Sequence, residues 1–194
     1  MKTLFPAARM LLILTFLTGM VYPVVVTLAA QVLFPLQANG SLIVRDNVVI
    51  GSSLIGQVVD DVRYFSGRPS AVNAMQADTP TLIASGASNL SMTNPLLLES
   101  YAERSSAFRT ANVLPEPIIV PSEMIMASGS GLDPDISVMA ARLQTERIAE
   151  ARGIPLERIF TLIDRYTQQP QYGFLGEIRV NVLQLNLALD AMTD

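Results

Sequence analysis

The chain has no cysteine and no histidine, and its one lysine is Lys2. Without cysteine there is no disulfide, no thiolate nucleophile and no sulfur-ligated metal. Without histidine, Ser-His-Asp and Cys-His mechanisms lack their general base, and zinc loses both of its favoured ligands. A Ser-Lys dyad could draw only on Lys2, in the N-terminal tail, and a phosphate-binding loop of the Walker type lacks its lysine. Charge is scarce as well, at 15% of 194 residues, against 50% hydrophobic ones. Lys2 and Arg9 precede the longest apolar run, which leaves 11 basic against 17 acidic residues elsewhere, a net of −6. The arginines are dispersed, with no basic cluster and no aromatic ladder, so nucleic acid is not an expected partner. Carboxylate chemistry remains, or no chemistry.

The apolar run is the dominant feature present. From Met10 to Leu36 no residue is charged, a stretch of 27 residues that would make a helix of roughly 40 Å at about 1.5 Å per residue. A bilayer core needs about 20 apolar residues, and the expected span is 12–34. Pro23 removes one backbone bond, which membrane helices tolerate. Tyr22 stands nearer mid-depth than the interfacial belt, which directs it to a partner rather than to lipid. Positive charge before the span and little after it puts the N-terminus in the cytoplasm and the bulk outside, in a bacterium the periplasm. A cleaved signal peptide is the rival, with small Ala29 and Ala30, but a signal core runs only about 7–15 residues. The organisation expected is therefore a cytoplasmic tail (1–11), a transmembrane helix (12–34) and a periplasmic mixed α/β (α+β) domain (35–194).

Local signals fill in that domain. "QANGS" (37–41) is a linker. "LIV" and "VVI" flank Arg45-Asp46-Asn47 and predict a hairpin with a half-buried face. Pro69 in "YFSGRPSAVNAM" suits the start of a short helix, and "SGASNLSMTNP" reads as an ordered loop. Asn94 caps a helix from Pro95 to about Ala111, with Leu97, Tyr101, Arg104 and Phe108 on one face. "VLPEPIIVPSEMIM", with three prolines, is an edge strand or a connector. In "SGSGLDPDIS" (128–137), Asp133 is the expected N-cap, Pro134 the next residue and Asp135 a first-turn acid facing the helix dipole. That helix runs to Arg152 with Gly153 as its stop, and Pro155 opens another carrying Ile159, Leu162, Ile163 and Tyr166. "QPQYGFLGE" is a turn segment. "VNVLQLNLALDAM" fits alternation in part, but its length and lack of internal Gly or Pro favour a helix.

Each chemical motif has a plainer explanation. Gly51 and Gly56 have phosphate-loop spacing, but Gln57 and Val58 stand where lysine and a hydroxyl belong, so a strand and turn are expected. In "SGSGLDPDIS" the helix-cap reading leaves no room for an anion, no base activates a serine, and the calcium-loop pattern is missing. Nothing singles out a carboxylate pair for hydrolysis. The residues by themselves give a single-pass membrane protein with an exported mixed domain and the look of an accessory subunit.

Five words in order, "GSSLIGQ", "YFSGRPSA", "SGASNL…TNP", "ASGSGLDPDIS" and "GEIRVNVLQLNLALD", following the apolar span, resemble the C subunit family of the Kdp potassium-transporting P-type ATPase. The likeness runs to about Asp190. It implies a non-catalytic subunit of a high-affinity, ATP-driven potassium importer in the cell inner membrane. Its partners would be a channel-like A subunit, an ATP-hydrolysing P-type B subunit and a small F subunit, with membrane lipid around the span. The roles implied are assembly or stabilisation of the complex and, as a catalytic chaperone, raising the ATP affinity of the B subunit. Gln57, in "LIGQ", is tied by resemblance to that nucleotide effect. No cofactor of its own is implied; ATP and potassium act in the complex. Asp135 stands where the family usually has histidine, Val59 where it tends to have an aromatic residue, Ala87 a glycine and Ile178 a proline. The alternatives are an independent membrane-tethered periplasmic binding module and an anchored carboxylate hydrolase.

Overall fold

The computed structural model describes residues 3–72 and 85–192. Lys2, the first of the two flanking charges, lies outside them. The chain divides into two compact units, 1–52 and 53–194.

The first unit opens with a continuous helical run, Leu4–Leu33, of 30 residues, long and apolar enough to cross a membrane and buried nowhere in the chain itself. It comprises α1 (Leu4–Phe16), a π-helical turn (Leu17–Val21) and α2 (Tyr22–Leu33). Pro23 cannot donate to the Gly19 carbonyl four residues back, and the widened turn that contains Gly19 absorbs that loss. Phe34 leaves helical geometry at φ −138°, and a single turn, α3 (Pro35–Ala38), leads to the hairpin. β1 (Leu42–Arg45) and β2 (Val48–Ser52) are antiparallel, with a bulge between Ile43 and Val44. Their two-residue turn, Asp46 and Asn47, has φ of 51° and 65°, the left-handed pair a tight hairpin requires and that Asp and Asn tolerate. The hairpin is as expected, but its valines are more exposed than a half-buried face would be: Val44, Val48 and Val49 all stay open.

The second unit mixes helix and sheet. α4 (Pro95–Ala111) begins as the sequence predicts, with the Asn94 side chain accepting from Leu96 N at 3.0 Å and Pro95 at the first position. Leu97 and Phe108 are buried, and Arg104 covers the face between them while donating to the Ile125 carbonyl at 3.1 Å. The proline-rich stretch is a connector ending in a 3₁₀ turn (Ser122–Met124). Beyond it come β3 (Asp135–Ile136), α5 (Val138–Arg142), α6 (Thr145–Arg152), α7 (Leu156–Tyr166), β4 (Thr167–Gln168), β5 (Arg179–Asn181) and α8 (Val182–Asp190). The sheet order is β3-β5-β4, antiparallel throughout. Gly153 ends α6 at φ +66°, and α7 buries Ile159, Leu162 and Ile163 as its spacing predicts. With Ile148, Val180, Leu185 and Leu189 these form the core, into which Phe65 inserts fully.

Four expectations are corrected. No helix starts at Asp133: Asp135 and Ile136 pair with Asn181 and Val180 as a strand, and the helix begins at Val138, capped by Ser137, whose hydroxyl accepts from Ala140 N at 3.1 Å. The helix expected as far as Arg152 is two, broken at Leu143–Gln144. The C-terminal helix is preceded by a strand, with Asn181 as its cap, accepting from Gln184 N at 3.1 Å. Pro69 starts no helix within the described residues; 66–72 are extended or bent, and the rest of that expectation, 73–75, lies outside them.

The extended segment shows why. Residues 57–72 carry neither helix nor strand, so their buried backbone groups need other partners. Asn186 supplies both for Phe65, accepting from its N–H at 2.8 Å and donating to its carbonyl at 2.9 Å. Gln144, 0% exposed, does the same for Ser66, at 2.8 and 3.2 Å. Arg152 donates to the Arg63 carbonyl and to Asp190, both at 2.7 Å, with Tyr64 stacked 4.4 Å away.

Replacing Gln144 with Leu leaves both Ser66 groups without partners, and each unsatisfied buried group costs about 1–3 kcal/mol. Unfolding of the detergent-solubilised chain, followed by near-ultraviolet circular dichroism in urea, should show a loss of about 2–4 kcal/mol. A loss within experimental error would mean that water replaces the amide and the clamp contributes nothing.

Candidate functional site

The described parts of the five sequence words from Ser53 onward meet in the second unit. Gly56 donates to the Leu132 carbonyl at 2.8 Å, so the "LIGQ" backbone lies against "SGLDPD". The approach requires glycine, because a Cβ at Gly56 would collide with the Asp133 carbonyl. Ser128 N donates to Pro69 O and Gly86 N to Ser130 O, each at 2.9 Å, joining "YFSGRPS" and "SGASNL" to the same loop. Asn181 closes the circuit by donating to the Ser53 carbonyl at 2.8 Å. Sequence positions more than a hundred residues apart thus form one hydrogen-bonded knot.

Two clefts flank it. The first, about 400 Å³, is lined by Gln57, Asp60, Asp61, Arg104, Asn112 and Arg147 among others. Gln57 is exposed. Arg147 is fixed by three acceptors: Asn112 Oδ1 at 2.9 Å, Gln144 Oε1 at 2.9 Å and the Val62 carbonyl. Burial pushes its guanidinium pKa down, opposed by the Asp61 charge. Asp61 is held low, to about 2, by hydrogen bonds from the Arg63 side chain and backbone. Arg104, Asn112 and Arg147 were not singled out from the sequence as site residues. The available signal was slight: Gln144 and Arg147 are polar interruptions between apolar Leu143 and Ile148.

The second cleft, about 590 Å³, contains Asp133, Asp135, Glu123, Glu177, Arg68 and Arg179. Arg68 lines both clefts; Gln57 and Asp135 share neither. Asp133 is committed twice, to Arg68 Nη1 at 2.7 Å and, as a turn, to Asp135 N at 3.1 Å. The Pro134 carbonyl accepts from Val182 N at 2.9 Å. These tertiary partners displace the expected helix cap. Asp135 pairs with Arg179 Nε at 2.9 Å and accepts from Asn181 Nδ2 at 3.3 Å. Its pKa nevertheless lies above 3.8, because burial outweighs the Arg179 charge and Asp133 adds repulsion. Both acids are therefore engaged with arginine rather than poised opposite one another as an acid-base pair.

The arrangement also excludes a phosphate loop. Gly51 lies inside β2, Gly56 is pinned against Asp133, and no helix follows within residues 57–72, whereas a Walker loop opens onto a helix N-terminus.

Known proteins resemble the chain along nearly its whole length. The family model described as "K+-transporting ATPase, c chain" matches residues 4–191. A protein named potassium-transporting ATPase KdpC subunit from Methylococcus capsulatus is 52% identical over 192 residues, 96% of each chain. The protein of that name from Pectobacterium atrosepticum is 49% identical, covering 98% of this chain and 97% of its own. One from Mycobacterium tuberculosis is 48% identical, covering 98% and 99%.

The raised pKa of Asp135 fixes the sign of a pH effect. A folded-state value above the unfolded 3.8 means that this group favours folding fully below 3.8 and loses that contribution as pH rises through the folded value. The melting temperature of Asp135→Asn relative to the unaltered chain should therefore rise between pH 3.5 and pH 7, measured by circular dichroism in detergent. A relative value that falls over this range would show that the Arg179 pair, not burial, dominates.

Proposed function

The chain belongs to the c-chain family of K+-transporting ATPases, and from that premise we propose that it is a non-catalytic subunit that assembles and stabilises the pump and raises the ATP affinity of its B subunit. Membership makes it an accessory part of a potassium-transport complex; its roles within that complex are our reading. The observation that carries it is the match over residues 4–191, which takes in both the membrane-length helix and the clamped second unit.

Residues 1–11 lie in the cytoplasm in this reading, 12–34 span the inner membrane, and 35–194 stand in the periplasm beside the A, B and F subunits. The charge distribution supports that orientation. The pairing of Asp133 and Asp135 with arginines supports a non-catalytic role. The chain needs no cofactor of its own; potassium and ATP are handled by its partners. Gln57 is the residue we assign to the nucleotide effect. ATP is cytoplasmic and Gln57 would face the periplasm, so the effect does not come from contact with nucleotide. It passes through the assembled membrane part, as a shift between two states of the complex that both sites bias.

Affinity purification through a tagged pump subunit in mild detergent should bring this chain down with the pump. A chain that migrates alone, while the pump stays intact without it, would instead favour a free-standing tethered binding module. Gln57→Ala should leave co-purification unchanged and raise the KM for ATP of the complex several-fold. An unaltered KM would remove Gln57 from the coupling and leave assembly alone.

A further inference from the structure

The first unit contains a surface that the proposed function does not use. In the β1–β2 register Val44 faces Val49 and Arg45 faces Val48. Side chains alternate along a strand, so Leu42, Val44 and Val49 share one face while Ile43, Arg45 and Val48 occupy the other. The first face is aliphatic and open, with Leu42 46%, Val44 57% and Val49 56% exposed.

The hairpin is fastened to the end of the helix. The side-chain amides of Asn39 and Gln31 exchange hydrogen bonds at 3.1 and 3.3 Å, and Asn39 also donates to the Pro35 carbonyl at 2.7 Å. Ser41 N donates to Leu36 O at 2.9 Å, and the Ser52 hydroxyl to the Gly40 carbonyl at 2.6 Å. Only residues 39–41 separate α3 from β1. The apolar surface is therefore continuous in sequence from Leu33, Phe34 and Leu36, all exposed, to the hairpin face.

We propose that the Leu42, Val44 and Val49 face of this hairpin rests on the lipid interface where α2 leaves the bilayer, as an amphipathic foot for the membrane helix. Three half-exposed aliphatic side chains fall far short of the about 800 Å² per partner that a stable protein interface buries. The face also lacks the aromatic and arginine anchors of protein hot spots. Charge is arranged to suit lipid: none lies on the Leu42, Val44 and Val49 face, Arg45 is on the opposite face beside Val48, itself 64% exposed, and Asp46 and Asn47 are at the turn. Burying an apolar face just beneath the headgroups is how interfacial amphipathic segments bind. The proposal rests on the reading of residues 12–34 as a membrane span and is independent of the nucleotide effect.

The chain has no cysteine, so single substitutions can be spin-labelled before reconstitution of the full chain, alone and with its pump, in phospholipid nanodiscs. Labels at Val44→Cys and Val49→Cys should collide readily with oxygen and several-fold less with a water-soluble nickel chelate than a label at Val48→Cys. The Val48 label reports that the hairpin is formed, and a label at Val25→Cys tests the span. Nickel access at 44 and 49 equal to that at 48 would overturn the proposal, as would shielding from both reagents, the signature of a protein contact. Nickel access at 25 would overturn the span, and the foot with it.

Discussion

The second unit depends on two side-chain amides that stand in for a missing strand. The segment around Phe65 and Ser66 has to be buried, because Phe65 fills the core, yet it belongs to no sheet. Only a group that both donates and accepts can satisfy an N–H and a C=O together, which is what Asn186 and Gln144 do. Burying Phe65 contributes on the order of 2–3 kcal/mol, and two unsatisfied peptide groups would cancel it. The amides therefore decide whether the aromatic ring can be in the core at all. They shape their own elements too: Gln144 sits where the α5–α6 helix breaks, and Arg147, one turn on, is recruited to the same oxygen.

From this follows a division between residues that hold the site and residues that present it. Gly56, Ser128 and Asn181 are joints of the knot, and Asn186 is the clamp on Phe65. Asp133 and Asp135 are held by arginines, and their charges are spent on neighbours. What the knot presents outward is the cleft lined by Gln57 and Arg147, the first next to the Gly56 contact and the second held by Asn112, Gln144 and the Val62 carbonyl. An accessory subunit needs a rigid surface more than a reactive one, and the chemistry of the chain fits that need.

Where signals were local, the sequence could be read directly. Asn94-Pro95 marked a helix start, Asp46-Asn47 a tight turn, and Gly153 a helix stop, because each acts through its own backbone. Where the deciding partner lay far along the chain, local rules chose wrongly. Asp133 has every property of a cap, but Arg68 and β5 claim it and its neighbours. The same holds for Arg179–Asn181, a strand only because β3 and β4 flank it. Of the site, Gln57 came from resemblance, and Arg104, Asn112 and Arg147 were not assigned to it because they converge from α4, its C-terminal end and α6, which share no sequence pattern.

The Phe65–Asn186 clamp joins residues 121 apart, with one partner in α8. During synthesis, the ribosome has released the N-terminal apolar helix, the hairpin and the whole length of segment 57–72 long before Asn186 exists. Gln144 and Arg152 are made earlier and can hold Ser66 and Arg63, but the Phe65 peptide groups have no amide partner until α8 emerges. A nascent chain cut short anywhere before position 186 thus lacks the clasp, however much of its core it has already made.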